Sequence, residues 1–341
     1  MPSNSRRAFL AACGSAAVAQ VTKPAPDRNG SLVRFGHTDL FVSRLCQGTA
    51  FRQVARDPGD SMGQKILHRA LDLGINFFDS SNAYGWGGAE LALGKAIAGR
   101  RDKLVIATKV SPHQKPEEGK PPVNVTLSRD FVMTQVEASL RRLGTDYIDL
   151  YLYHNPDNQT PSGELVRTMD SLVRAGKIRY WGASNFSPKQ IGEFLDLGAR
   201  GGRAPLAGLE DYYNIIAGTR RDFMEGELFP LIRRGRLGLM AFSPIAEGRL
   251  APGREVDPIK PWAPVVDALD KVARELSATR PQVCVAWVLS HKEVTSVLAG
   301  AERPEHVDDN LSGTRLTLPP DALAALNAAS DRLRGVDTSG R

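Results

Sequence analysis

Apolar runs that stop abruptly at polar residues recur along this chain. Phe77-Phe78 gives way to Asp79, Ser80, Ser81 and Asn82, with Tyr84 five positions after the acid. Leu104 to Thr108 stops at Lys109, Ile148 to Tyr153 stops at His154, and Ile178 to Ala183 ends at Ser184-Asn185. Leu206 to Leu209 leads into Glu210 and Tyr213, Leu237 to Phe242 ends at Ser243, and Thr295 to Leu298 runs into Gly300. Near-continuous apolar runs of this length are what strands buried on both faces look like. From Asp79 to Ser243, successive stops lie 28 to 45 residues apart, which is room for a strand, a helix and a return.

The intervals carry the helical period. Ser61 to Leu73, Glu90 to Ile97, Leu127 to Leu143, Gly163 to Arg174, Pro188 to Leu197 and Pro281 to Leu289 have apolar residues three and four apart, several opening with Ser or Pro. With a first strand around Ser43 to Gln47, eight strands alternate with helices. That predicts a (β/α)8 TIM barrel with its reactive residues at the C-terminal strand ends. A doubly wound open sheet is the alternative, but it usually places a Gly-x-Gly-x-x-Gly turn after its first strand, and this chain has none.

The 341 residues are 42% hydrophobic, enough for a large core in a single domain. The net charge of +6 comes from dispersed basic pairs with no aromatic interleaving, which suits solvated faces and predicts no nucleic-acid partner. Gly88 to Lys95 has the wrong glycine spacing for a phosphate loop, and Ala96 stands where Ser or Thr is needed. Neither the three cysteines nor the six histidines have metal-ligand spacing, so no metal and no disulfide framework are expected.

The N-terminus differs. Ser5-Arg6-Arg7-Ala8-Phe9-Leu10, an uncharged stretch to Ala19 and the small-x-small triplet Ala17-Val18-Ala19 form a twin-arginine (Tat) export signal pattern with cleavage before Gln20. Ala8 to Ala19 is too short to span a bilayer. The expected organisation is a signal peptide over 1–19, a linker over 20–31, a barrel over 32–334 with an N-terminal β-hairpin and a C-terminal helix, and a tail over 335–341. The Tat machinery is then a partner, the mature protein is periplasmic or otherwise exported, and no stable membrane anchor is expected. If the leader is not functional, the protein is cytoplasmic.

Gly74 to Gly85, the strand end at Lys109, Leu143-Gly144-Thr145-Asp146-Tyr147-Ile148-Asp149-Leu150-Tyr151 before His154, and Gly182-Ala183-Ser184-Asn185-Phe186 together resemble the signatures of the aldo-keto reductase family over about Val33 to Leu311. Members of that family are (β/α)8 barrels that interconvert carbonyls and alcohols with a nicotinamide cofactor. The resemblance implies a catalytic tetrad of Asp79, Tyr84, Lys109 and His154. Elementary chemistry agrees: a free phenol with a pKa near 10 needs a neighbouring cation to exchange protons near neutrality. Lys109 supplies the cation, Asp79 its counter-charge, and neutral His154 a hydrogen bond to the substrate oxygen.

The resemblance also implies a cofactor site. Gly48 and Thr49 resemble a backbone contact, Ser184, Asn185 and Glu210 the carboxamide-binding set, and Phe242 the aromatic stacking position. Ser243, Pro244, Ile245, Gly248 and Leu250 resemble a pyrophosphate loop with Arg249 to neutralise charge. Gly300, Arg303, His306, Asp309 and Asn310 resemble the adenosine-phosphate segment. Glu210 stands where the family usually has Gln, replacing an amide by a group that, ionised, only accepts hydrogen bonds. Glu302 opposes a 2′-phosphate that Arg303 and His306 would attract, so NADP is expected, with NAD also open. Phe51, Trp86 and Asn155 are expected to line the mouth around a small carbonyl or alcohol. A nicotinamide-binding sensor or partner-binding module is the alternative from another functional class. The specific substrate, the physiological direction and the oligomeric state are not legible in the sequence.

Overall fold

A computed structural model describes residues 32–51, 61–114, 123–200, 202–253 and 259–338. The export-signal residues, Cys13 among them, lie outside the described residues. Eight parallel strands close into a barrel in chain order: Leu45–Gly48, Phe77–Asp79, Val105–Val110, Ile148–Tyr153, Ile178–Ser184, Gly208–Tyr212, Gly238–Phe242 and Ser296–Ala299. The first and last pair directly, Val297 opposite Leu45. The expected (β/α)8 barrel is therefore the observed fold, and no open sheet edge remains in it.

Local signals place the surrounding helices. Arg129–Leu143 starts where the Ser128 hydroxyl accepts from the Phe131 amide, and ends at Gly144, whose φ of 65° is the left-handed conformation glycine adopts without cost. Pro188–Ala199 and Arg280–Leu289 both open with a reciprocal capping box, Ser187 with Gln190 and Thr279 with Gln282, and a proline in the first turn. Helices sequence reading did not single out are Ala263–Glu275 and a run from Thr219 to Gly235 that passes through a π-helical turn at Met224–Leu228. The expected N-terminal hairpin pairs Leu32–Arg34 with Phe41–Ser43, and the C-terminal helix is Pro320–Asp331.

Strand parity then sorts the side chains. Phe77, Val105, Ala107, Leu150, Leu152, Cys46, Met240 and Leu298 fill the barrel interior, while Phe78, Ile106, Tyr151, Tyr153, Trp181, Leu209 and Leu239 pack outward under the helices. Side chains two apart share a face. Continuing the inward set upward from Phe77, Ala107, Leu152 and Cys46 gives Asp79, Lys109, position 154 and Gly48. Phe35 plugs the lower end: a Cβ placed on Gly208 would lie 2.4 Å from its ring, and one on Gly238 2.5 Å. Cys46 and Cys284 are free and buried. No helix among the described residues is long and apolar enough to cross a membrane.

Candidate active site

At the C-terminal ends of the strands opens a cavity of about 490 Å3, within the range of small-molecule sites. Asp79, Tyr84, His154, Ser184, Asn185, Glu210 and Phe242 line it. Asp79 and Lys109 are the top inward residues of adjacent strands. The Lys109 ammonium donates to both Asp79 oxygens at 2.6 Å and to the Ser80 carbonyl at 2.9 Å, wholly removed from solvent. Burial disfavours its charge, but Asp79, Glu210 and Tyr84 outweigh that and hold the ammonium well above its usual pKa. Lys109 therefore sits behind the cavity wall as a fixed cation.

Tyr84 lies over that cation, with Lys109 Nζ 4.9 Å from the ring centroid. Burial drives the phenol well above its usual pKa, and Lys109 pulls against it. The tyrosine is held by a tight turn: Gly85, Trp86 and Gly87 all have positive φ, at 58°, 53° and 94°. Gly87 is required twice over, since a Cβ there would meet Arg142 Cδ at 2.6 Å. Arg142 in turn donates to Glu90 Oε2 at 2.6 Å, while Thr108 donates to Glu90 Oε1 at 2.7 Å. One buried carboxylate thus ties the Tyr84 turn to the strand that carries Lys109.

His154 packs edge-on to Tyr84, ring centroids 5.5 Å apart. Its Nδ1 is 3.0 Å from the Ser81 hydroxyl, which also accepts the Ala83 amide, and its carbonyl accepts from Asn185 Nδ2 at 3.0 Å. Burial, then the Lys109 charge, lowers its pKa to about 3, so the imidazole is neutral. Asn185 holds a left-handed φ of 63°, and its backbone amide bonds Asp211, an outward-facing buried acid whose burial lifts its pKa to about 7.

Glu210 lies inside its strand rather than after it. Its Oε1 is 3.2 Å from Lys109 Nζ, and its Oε2 has no hydrogen-bond partner among the described residues. Burial, then the Asp79 charge, raises its pKa well above the usual carboxylate range. The loop from Ser243 to Gly248 is strained: Ser243, Ala246, Glu247 and Gly248 have φ of 59°, 51°, 58° and 87°, and the Ala246 and Gly248 amides close tight turns onto the Ser243 and Ile245 carbonyls at 2.9 and 3.1 Å. A Cβ on Gly248 or Gly300 would meet nothing within 4 Å, so both leave open space.

Of the other sequence candidates, Gly48, Phe51, Ser243, Pro244, Ile245, Gly248, Gly300, His306 and Asn310 also line the cavity. Thr49 does not; its hydroxyl donates to Ser80. Leu250 is packed into the core. Asp309 turns away to accept from Thr279 and Gln282 at the start of the Arg280–Leu289 helix. Arg303 is engaged with His306 at 3.1 Å, outside the lining. Arg249 is spent on the carbonyls of Thr338 and Ala246 and on the Tyr212 hydroxyl rather than facing the cavity. Trp86 is 40% exposed, and neither it nor Asn155 reaches the lining. Lining residues that sequence reading missed are Glu247, hidden among the loop's glycine and apolar positions, and Ala50, Ala251, Pro252, Leu298, Ala299 and Ala301, small or apolar positions with no chemical signal of their own.

A model of the aldo/keto reductase family matches residues 44–331. The chain is 32% identical over 314 residues to an uncharacterized oxidoreductase, YrpG, of Bacillus subtilis (strain 168), covering 86% of this chain and 93% of that protein. It is also 32% identical over 302 residues to a probable voltage-gated potassium channel subunit beta of Arabidopsis thaliana, covering 81% and 88%. Among solved structures, the holo form of the aldo-keto reductase AKR11C1 from Bacillus halodurans superposes with a TM-score of 0.74 at 27% identity, covering 88% of this chain and 96% of that one.

Proposed function

Because this chain belongs to the aldo/keto reductase family of oxidoreductases, we propose that it interconverts a carbonyl compound and its alcohol with a nicotinamide cofactor, Tyr84 exchanging the proton. What carries the proposal is the arrangement at one cavity of a phenol, a buried ammonium held at 2.6 Å by a carboxylate, and a neutral imidazole. The phenol keeps its proton at physiological pH and is ready to serve as the acid in reduction. In oxidation the same group acts as base, its phenolate supported by Lys109. With Nδ1 facing the Ser81 hydroxyl, we assign the imidazole hydrogen to Nε2, from which His154 donates to the substrate oxygen without competing for its proton.

The residues present fit a nicotinamide dinucleotide. Phe242 offers an aromatic face, Ser184, Asn185 and Glu210 offer polar partners, the strained turn from Ser243 to Gly248 borders the cavity, and Gly300 leaves open room. When bound, the nicotinamide supplies or accepts the hydride at the substrate carbon. Of the two groups that would attract a 2′-phosphate, His306 lines the cavity with Arg303 held against it, and Glu302 on the same lining opposes them, so NADP is proposed with NAD also open. Replacing Tyr84 by Phe should lower turnover by about 10^2 to 10^4-fold while nucleotide binding, followed by NADPH fluorescence, persists. Unchanged turnover would remove Tyr84 from the role.

The likeness to a channel beta subunit supports a second reading, a nicotinamide-binding partner module. It predicts that Tyr84→Phe leaves the protein's biological effect intact. We also propose export through the twin-arginine route from the Arg6-Arg7 pattern. Replacing both arginines by lysine should keep the protein in the cytoplasmic fraction.

A further inference from the structure

The polar cluster beneath the cavity holds one carboxyl more than its cation can serve. An ammonium has three N–H groups, and those of Lys109 go to the two Asp79 oxygens and the Ser80 carbonyl. Glu210 Oε1, at 3.2 Å, only shares that already committed ammonium with Asp79, at a longer distance, and Oε2 has no hydrogen-bond partner among the described residues. Two ionised carboxylates on one ammonium, all out of water, leave an uncompensated buried charge. A single proton on Glu210 removes that charge and makes a donor toward Asp79; burial raises both carboxyls, Glu210 the further, and the hydrogen bond between them raises Glu210 and lowers Asp79.

Other groups facing Glu210 leave this balance in place. Below it lies the Cys46 thiol, pushed up by burial and by both carboxylates. Above it the Tyr84 phenol is raised as well, and His154 on the cavity wall is neutral. The flanking strands set Ser184 and Met240 beside it in register, neither of them titratable here. Glu210 is thus the member of the cluster that can change charge, and it lines the cavity together with Ser184, Asn185 and Phe242.

We propose that Glu210 is a carboxylic acid in the free protein and releases its proton when a cationic pyridinium ring occupies the cavity beside it, so that oxidised nicotinamide binds with proton release and reduced nicotinamide without. This rests on the nicotinamide reading above. A positive charge beside a buried acid favours the ionised form, and the linkage is reciprocal: affinity for the oxidised form must rise with pH wherever the free protein holds the proton and the complex does not.

The experiment is calorimetric titration of the wild-type protein with NADP+ and with NADPH, each at several pH values from 5.5 to 8.5 and in two buffers of different ionisation enthalpy. Comparing two redox forms of one nucleotide cancels the titration of its own phosphates. NADP+ binding should release up to one proton and tighten by up to about tenfold per pH unit, while NADPH binding stays flat. The Glu210→Gln protein, which keeps the shape and cannot ionise, should lose the NADP+ proton release. Equal proton changes for both forms, or release that survives in Glu210→Gln, would overturn the inference while leaving the nicotinamide reading standing. The wild-type comparison decides without the variant. Failure of both nucleotides to bind would overturn the nicotinamide reading and this inference with it.

Discussion

Single residues in this protein are set by what burial does to their charge. His154 and Asp211 are moved in ways that give opposite slopes of stability with pH. The imidazole, lowered to about 3, binds a proton more readily unfolded than folded, so stability is lost as pH falls from about 6.5 toward 3. The carboxyl of Asp211, raised to about 7, binds a proton more readily folded, so its contribution is intact below about 4 and lost as pH rises toward 7. Asp211→Asn should therefore match wild type in urea melts near pH 4 and exceed it above pH 7, by something on the order of 4 kcal/mol. A constant difference at both pH values would rule out this origin. Activity, for its part, should show no inflection near 6.5 attributable to His154, a point checked by a kcat profile in wild type and His154→Gln. Residue types were the legible part of the site: Asp79, Lys109 and His154 stood out because each ends an apolar run, Tyr84 because it follows Asp79 by five positions, and the resemblance to the family joined the four. Glu210 was legible as an oddity, but the same break made it look like a residue beyond its strand, whereas polar groups at a barrel's upper rim sit within the strands.

At the scale of elements, the short turn after the Phe77–Asp79 strand is the joint on which the phenol hangs. Gly87 has φ of 94°, and any side chain there would strike Arg142. Gly87→Ala should cost about 1 to 3 kcal/mol and lower kcat more than nucleotide affinity, since it disturbs the Arg142–Glu90–Thr108 tie beneath Tyr84 and not the loop at Ser243. Thermal melts and kinetics on one preparation test both halves. The helix Ala263–Glu275 was legible in principle, with Val265, Val266, Leu269, Val272 and Ala273 spaced along one face. The run from Thr219 to Gly235 was not, because a π-helical turn shifts its phase midway and Pro230 interrupts the expected pattern.

Taken whole, the molecule divides labour between its two ends. Phe35 closes the bottom against two glycines, far along the strands from the cavity at the top. Phe35→Ala should lower stability by about 3 to 5 kcal/mol with KM nearly unchanged, and a large KM change would mean that the plug and the site are mechanically joined. The barrel was legible because its period repeats across the chain; contacts between distant segments were not, because no local pattern encodes them. The C-terminal strap is the clearest case. Val336 accepts the Thr219 amide, the Thr338 hydroxyl donates to Ile216, and the Thr338 carbonyl takes the guanidinium of Arg249, which belongs to the loop next to the cavity wall. For anyone preparing this protein the practical meaning is direct: proteolytic trimming back to Arg334 removes one of the three acceptors that hold Arg249, leaving the Ala246 carbonyl and the Tyr212 hydroxyl, and binding constants should be compared between trimmed and full-length material.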